Sequence, residues 1–152
     1  GLVGSEMCIR DSNYGLILGW TCISEQISLT PLIFYVGAIF WTLGYDTIYG
    51  FQDIQDDEII GLKSTAIKFK GNAKKFLFIC YSLLIILFTM GGYYMNLNSS
   101  YYILGIIPLI HLFFYQMKNF NHADPSSCLS VFKSNNMFGL IVLLNILIAK
   151  SF

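Results

Sequence analysis

Asp46, Asp53 and Asp57 are the residues whose types and spacing are best suited to chemistry. They fall in the stretch Tyr45-Asp46-Thr47-Ile48-Tyr49-Gly50-Phe51-Gln52-Asp53-Ile54-Gln55-Asp56-Asp57. This stretch closes an apolar run long enough to span a bilayer, where charge is costly and calls for a function. On a continuous α-helix turning about 100° per residue, the three carboxylates lie within about 40° of one another. Carboxylates on one stripe repel unless a positive charge sits between them. A hard divalent cation such as Mg²⁺ suits them, because it takes a few carboxylates together with phosphate oxygens. The competing reading is a solvated acidic cap. Asp56 and Glu58 lie off the stripe and read as solvated.

The elements that must position these carboxylates are membrane helices. Hydrophobic residues make up 55% of the 152 residues and charged residues only 12%, about half the charged share of a soluble domain. The chain is read as an all-α polytopic helical bundle with four spans. Residues 27–45 and 76–95 carry no charge, and each is close to the ~20 residues a bilayer requires. Residues 101–117 are slightly short and include His111, which reads as a neutral histidine bonded to a neighbouring helix. Residues 137–149 are shorter but extend back towards Ser134. Residues 14–20 are apolar but too short to span, and read as the tail of a longer helix.

Charge in the loops alternates. Lys63, Lys68, Lys70, Lys74 and Lys75 follow the first span, residues 96–100 carry no charge, and Lys118 and Lys133 lie in the next loop. The positive-inside rule places the aspartate-rich loop on the cytoplasmic side or its equivalent. Gly61 is expected to end the helix bearing the aspartates, and Asp124-Pro125 to form a turn. A net charge of zero gives a nucleic-acid partner no electrostatic support. Cys8, Cys22, Cys80 and Cys128 form no CxxC pair, which argues against a zinc site or disulfide framework. Residues 1–12 (GLVGSEMCIRDS) lack the apolar core of a signal peptide. They resemble translated sequencing-adapter read-through, so they are set aside as non-native, and 13–152 is taken as the domain.

The aspartate-rich stretch resembles the second such motif of the UbiA prenyltransferase superfamily. Gly61-Leu62-Lys63-Ser64-Thr65-Ala66 is similar to the segment that follows it there. Asp124-Pro125, Cys128, Phe132, Asn135 and Gly139 resemble the loop entering that family's last helix. The wording of Asp46-Thr47-Ile48-Tyr49 with Lys63-Ser64-Thr65 narrows the likeness to the branch acting on 4-hydroxybenzoate in ubiquinone biosynthesis. The resemblance covers about residues 14–152. It implies a nine-helix fold of which this chain supplies about four helices. The family's first aspartate motif, Asn-Asp-x-x-Asp-x-x-x-Asp, is absent, so the chain is expected to be the C-terminal half of its parent and inactive alone.

The activity implied is Mg²⁺-dependent transfer of a polyprenyl group from polyprenyl diphosphate to the ring of 4-hydroxybenzoate. The alternatives are another acceptor (homogentisate, a naphthoate, haem or a lipid glycerol) and a non-enzymatic cation-binding membrane protein. The resemblance assigns Asp46, Asp53 and Asp57 to the metal. Asp46, Tyr49 and Lys63 take catalytic roles, Lys63 as a clamp on the diphosphate. Tyr45, Lys63, Ser64 and Asn135 bind substrate, although Asn135 and Asn136 could instead cap the last helix. Tyr45 or Tyr49 would face the allylic cation. The implied setting is the lipid bilayer of a bacterial or mitochondrial inner membrane.

Overall fold

A computed structural model describes residues 2–26 and 28–151, with side chains at 13–26 and 28–150. The expectation that residues 1–12 are non-native falls on positions whose side chains lie outside the described residues. The elements in chain order are α1 (Leu2–Ser24), α2 (Leu29–Gly50), α3 (Ile54–Ile59), α4 (Thr65–Lys68), a 3₁₀ turn (Lys70–Asn72) and α5 (Ala73–Tyr94). They continue as α6 (Ser99–Leu104), α7 (Ile106–Ile110), a π-helical turn (His111–Gln116), α8 (Met117–Asn119), α9 (Pro125–Lys133) and α10 (Asn135–Ser151). The fold is all-α, with no strand among the described residues.

Four segments are long and apolar enough to cross a membrane: Leu29–Gly50, Lys70–Tyr94, Ser99–Asn119 and Pro125–Lys150. These are the four expected spans. The last is longer than expected because α9 runs into α10 through a single turn residue, Ser134. The third span is broken into short pieces. Pro108 has no N–H to give to the carbonyl four residues back, and the wide turn at His111–Gln116 follows it. A π turn adds a residue to the helix and re-aims what comes after, here turning Gln116 into the interior, where it is 1% exposed.

The centre of the bundle is the α2–α5 interface. A Cβ at Gly37 would meet the Phe88 ring at 2.8 Å, and one at Gly44 would meet the Tyr81 ring at 2.9 Å. Missing side chains on α2 therefore seat aromatic rings from α5. In lipid this close approach is what holds helices together, since burying apolar surface gains little there. Leu77, Tyr81 and Leu84 of α5, Ile48 and Phe51 near the end of α2, Leu112, Phe120 and Phe138 form the common core.

This core also breaks the aspartate-bearing helix. After Gly50 the buried Phe51 packs its ring against Phe120 at 5.7 Å and His122 at 5.9 Å. Asp53 then leaves helical geometry, with φ −116° and ψ 19°, and a new helix starts at Ile54. The expectation of one continuous helical stripe is therefore corrected: Asp46 belongs to α2, Asp57 to α3, and Asp53 to the joint between them. The tertiary contacts of Phe51 override the local helical pattern. Gly61 does follow the end of α3, with φ +71°. Beyond it, α4 docks back on α2 through a 2.8 Å bond between the Thr47 and Thr65 hydroxyls.

Candidate functional site

Two clefts lie near the end of α2. The first has a volume of about 390 Å³ and is walled by Phe51, Gln52, Asp53, Asp56, Lys70 and His122, among others. Its position follows from the break after α2: the α2–α3 joint supplies Gln52 and Asp53, the first turn of α3 supplies Asp56, and the turn before α5 supplies Lys70. Asp53 and Asp56 are exposed. Gln52 Oε1 is buried and has no hydrogen-bond partner among the described residues. An oxygen left unpaired in this way is expensive and is relieved by a positive charge or a donor. Lys70 Nζ donates to Glu58 Oε1 at 2.8 Å and Oε2 at 2.9 Å.

Among the described residues no three His, Cys, Asp or Glu side chains gather closely enough to hold a metal ion by themselves. The exposed carboxylates of Asp53 and Asp56 nevertheless suit Mg²⁺. That ion is bound through one or two carboxylates and completes its shell with water and phosphate oxygens.

The expected site residues are distributed unevenly. Only Asp53 of the three expected ligands lines this cleft. Asp46 is half-buried on α2 and Asp57 half-buried on α3. The Asp57 N–H donates to Asp53 O at 3.0 Å, and its carbonyl accepts from Leu62 N–H at 2.9 Å. Lys63 is exposed and stands outside the cleft lining. Ser64 caps α4, its hydroxyl accepting from the Ile67 N–H at 3.3 Å. Gln52, Asp56 and Lys70 were not anticipated. Asp56 carried a signal, one helical turn beyond Asp53, that the assumption of a continuous helix masked. Lys70 carried none, because only the fold brings it back beside α3.

The second cleft, about 250 Å³, joins Trp41 and Tyr45 of α2 to Phe132, Lys133, Asn135 and Asn136 of α9 and α10. Tyr45 and Asn135, both expected to bind substrate, line this one cleft. Tyr49 joins them through Phe132, with ring centroids 4.9 Å apart. Tyr45 itself meets Trp41 at 5.5 Å and Phe132 at 5.9 Å. Behind this aromatic wall runs a buried polar network. Trp41 Nε1–H donates to Asn135 Oδ1 at 2.9 Å, and Gln116 Nε2 donates to the same oxygen at 3.1 Å and to Ser134 Oγ at 3.0 Å. The Tyr81 hydroxyl donates to Gln116 Oε1. His111 lies 3.4 Å from the Gln116 amide on its own span and bonds the Ser134 backbone of the neighbouring span, and its ring stacks on Tyr115 at 5.2 Å. Intramembrane polar groups are rare enough that sequence alone flags them, but Gln116 carried no pattern tying it to Asn135.

At the outer end of α9, Asp124 forms the expected turn. Its Oδ1 accepts from the Ser126 N–H at 3.0 Å and from the Ser126 hydroxyl at 2.8 Å. Those bonds hold its carboxyl below the usual carboxylate range. Cys80 and Cys128 are buried free thiols and Cys22 an exposed one.

The UbiA prenyltransferase family model matches residues 13–142. The chain is 37% identical over 141 residues to the mitochondrial 4-hydroxybenzoate polyprenyltransferase of Dictyostelium discoideum, covering 91% of this chain and 30% of that protein. It is 32% identical over 133 residues to the 4-hydroxybenzoate octaprenyltransferase of Francisella tularensis subsp. mediasiatica, covering 86% of this chain and 45% of that protein. The octaprenyltransferase of the subspecies novicida matches to the same extent. The chain spans less than half the length of these curated relatives. No solved structure matches the chain.

Proposed function

The chain belongs to the UbiA prenyltransferase family, and from that premise we propose that it serves transfer of a polyprenyl group from polyprenyl diphosphate to the ring of 4-hydroxybenzoate. The names of its relatives support the acceptor and the donor class. The reading extends to a longer parent that supplies further helices and a second set of carboxylates. The observation that carries the proposal is the first cleft, where Asp53, Asp56 and Lys70 converge.

Asp53 and Asp56 would hold Mg²⁺, which when bound neutralises charge building on the departing diphosphate. Lys70 adds a positive charge at the same cleft and would receive a diphosphate oxygen. Lys63 is retained as a second cation near the substrate. Asp46 and Asp57 are retained as ligands or as acceptors for metal-bound water. As the allylic C–O bond breaks, its electron pair leaves with the diphosphate. The faces of Tyr45 and Tyr49 would then oppose the allylic cation.

The second cleft would seat the aromatic acceptor between Trp41, Tyr45 and Phe132, with Lys133 beside its carboxylate and Asn135 held in place by Trp41 and Gln116. The ring carbon beside the phenol hydroxyl forms the new C–C bond, and the displaced ring proton passes to a carboxylate or to the released diphosphate. The chain is integral to the membrane. We place the aspartate-rich end on the cytoplasmic or matrix side, because Lys63, Lys68, Lys70, Lys74, Lys75, Lys118 and Lys133 gather there.

The test is turnover of polyprenyl diphosphate with 4-hydroxybenzoate in membranes holding the longer parent. Removing charge-stabilising groups from such a centre typically costs ~10²–10³ in rate. Asp53→Asn and Asp56→Asn are expected to lose activity on that scale, and excess Mg²⁺ to restore part of it. Diphosphate release unchanged in both variants would sink the proposal.

A further inference from the structure

The Asn135 amide has no hydrogen bond left to give to a ligand. The residue is 6% exposed. Its Oδ1 accepts from Trp41 Nε1–H at 2.9 Å and from Gln116 Nε2 at 3.1 Å, which fills both lone pairs. Its Nδ2 donates to the Phe132 carbonyl at 3.0 Å and to the Val131 carbonyl at 3.4 Å, which uses both hydrogens. A ligand could bond Asn135 only by opening one of these contacts, and a buried group left unpaired is costly.

The Asn135 bonds fix Trp41. Its indole N–H is held by Asn135, and its ring lies 5.1 Å from the Phe138 ring. Gly139 clears the remaining side, since a Cβ there would lie 3.5 Å from Trp41 Cη2. The ring is thereby set as a wall of the second cleft.

Lys133 and Asn136 are in the opposite situation. Both are exposed and both line the same cleft. Neither side chain has a hydrogen bond or ion pair among the described residues. Ser134 between them keeps helical angles, φ −66° and ψ −14°, so residues three apart share a face. The ammonium carries three donors and the amide two, and the cleft lining holds no acidic side chain to claim them.

We infer that Lys133 and Asn136 together recognise the carboxylate of the aromatic acceptor, and that Asn135 is a positioning residue acting through the Trp41 ring. The inference rests on the second cleft being the acceptor seat. It moves Asn135, which resemblance names as substrate-binding, one layer behind the ligand. It also makes the cleft selective for a ring bearing a carboxylate over a neutral phenol, because hydrogen bonds to a charged group are the stronger ones.

The test is equilibrium dialysis of the full chain in detergent micelles, with protein-free micelles as the blank. The probes are radiolabelled 4-hydroxybenzoate and 4-methylphenol, which replaces the carboxylate by a methyl group. Asn136→Leu and Lys133→Gln should each weaken 4-hydroxybenzoate about tenfold and leave 4-methylphenol unchanged. Asn135→Leu should weaken both probes alike, with helical circular dichroism retained. Added to Trp41→Phe it should cost nothing more, since both changes act through the same ring. If Asn135→Leu does not fold, Asn136→Leu and Lys133→Gln decide alone. Unchanged 4-hydroxybenzoate binding in Asn136→Leu overturns the inference and leaves the acceptor seat standing. So does a loss in Asn135→Leu confined to 4-hydroxybenzoate, as a direct ligand would give, or one that adds fully to Trp41→Phe. Saturable binding of neither probe by the natural sequence overturns the acceptor seat and the inference together.

Discussion

α2 and the span formed by α9 and α10 are both apolar enough to cross a bilayer, yet they are built for different surroundings. In the most apolar window of α2, 44% of residues are buried within the bundle, against 22% for the α9–α10 span. α2 buries Gly37, Ala38, Thr42, Gly44 and Thr47. α10 turns Leu140, Leu143, Leu144 and Leu147 outward, each about half exposed. The central helix is the less apolar of the two, with mean hydropathy 1.2 against 1.6, and it is side-chain size that sets it at the centre. Small residues allow backbones to approach, and that approach, not apolarity, determines which helix lies at the centre of a membrane bundle. The central helix is also the one that delivers Asp46 and the Asp53 joint.

The contrast can be tested by substitutions graded by their expected effect. Gly44→Leu inserts a side chain where the Tyr81 ring already lies 2.9 Å from a Cβ position. Overpacking of this kind removes about 1–3 kcal/mol, and the upper end is expected here. Unfolding in mixed micelles would show it, and an unchanged midpoint would mean that α2 and α5 are not in close contact. Gln116→Leu comes next. It strips the polar network that ties α2 to α10, leaving Tyr81 OH and the Trp41–Asn135 pair less well satisfied, at a cost of about 2 kcal/mol. The same variant should loosen the second cleft and raise KM for the aromatic acceptor in the longer parent more than it lowers kcat.

Thr47→Val removes the hydroxyl bridge to Thr65 together with the bond to the Leu43 carbonyl and should cost about 1 kcal/mol. The loss should be accompanied by faster hydrogen exchange in α4, the element that the bridge tethers. Leu144→Ala is the control on the outer helix and should fall within about 0.5 kcal/mol of the natural sequence. A larger loss would mean that the outward face of α10 is covered rather than lipid-facing, and the comparison with α2 would have to be redrawn.

The membrane helices were legible because a long uncharged run has few alternatives. The runs at 27–45 and 76–95 correspond to α2 and α5 with small shifts at their ends. What escaped was everything decided by contacts between distant residues. The helical stripe of Asp46, Asp53 and Asp57 assumed that nothing interrupts the helix, and Phe51 interrupts it by packing on Phe120, far along the chain. Lys70 read as one of five topology-setting lysines, and only the return of the chain past α4 sets it beside Asp53 and Asp56. Gln116 sat inside an apolar run whose π turn, following Pro108, rotated it inward. Tyr45 and Asn135 were each named through resemblance, and only the fold sets them in one cleft.

The ion pair between Lys70 and Glu58 has one further consequence. Lys70 lines the cleft of the proposed diphosphate site while already holding a carboxylate, with side chains 49% and 40% exposed. An exposed pair of this kind is worth little, so under that proposal an arriving phosphate group would exchange partners with Glu58 instead of meeting an unoccupied cation. Glu58 is then a competitor at the site, though it never touches the ligand. Glu58→Gln should tighten binding of inorganic diphosphate, and the gain should fade as salt screens both partners alike.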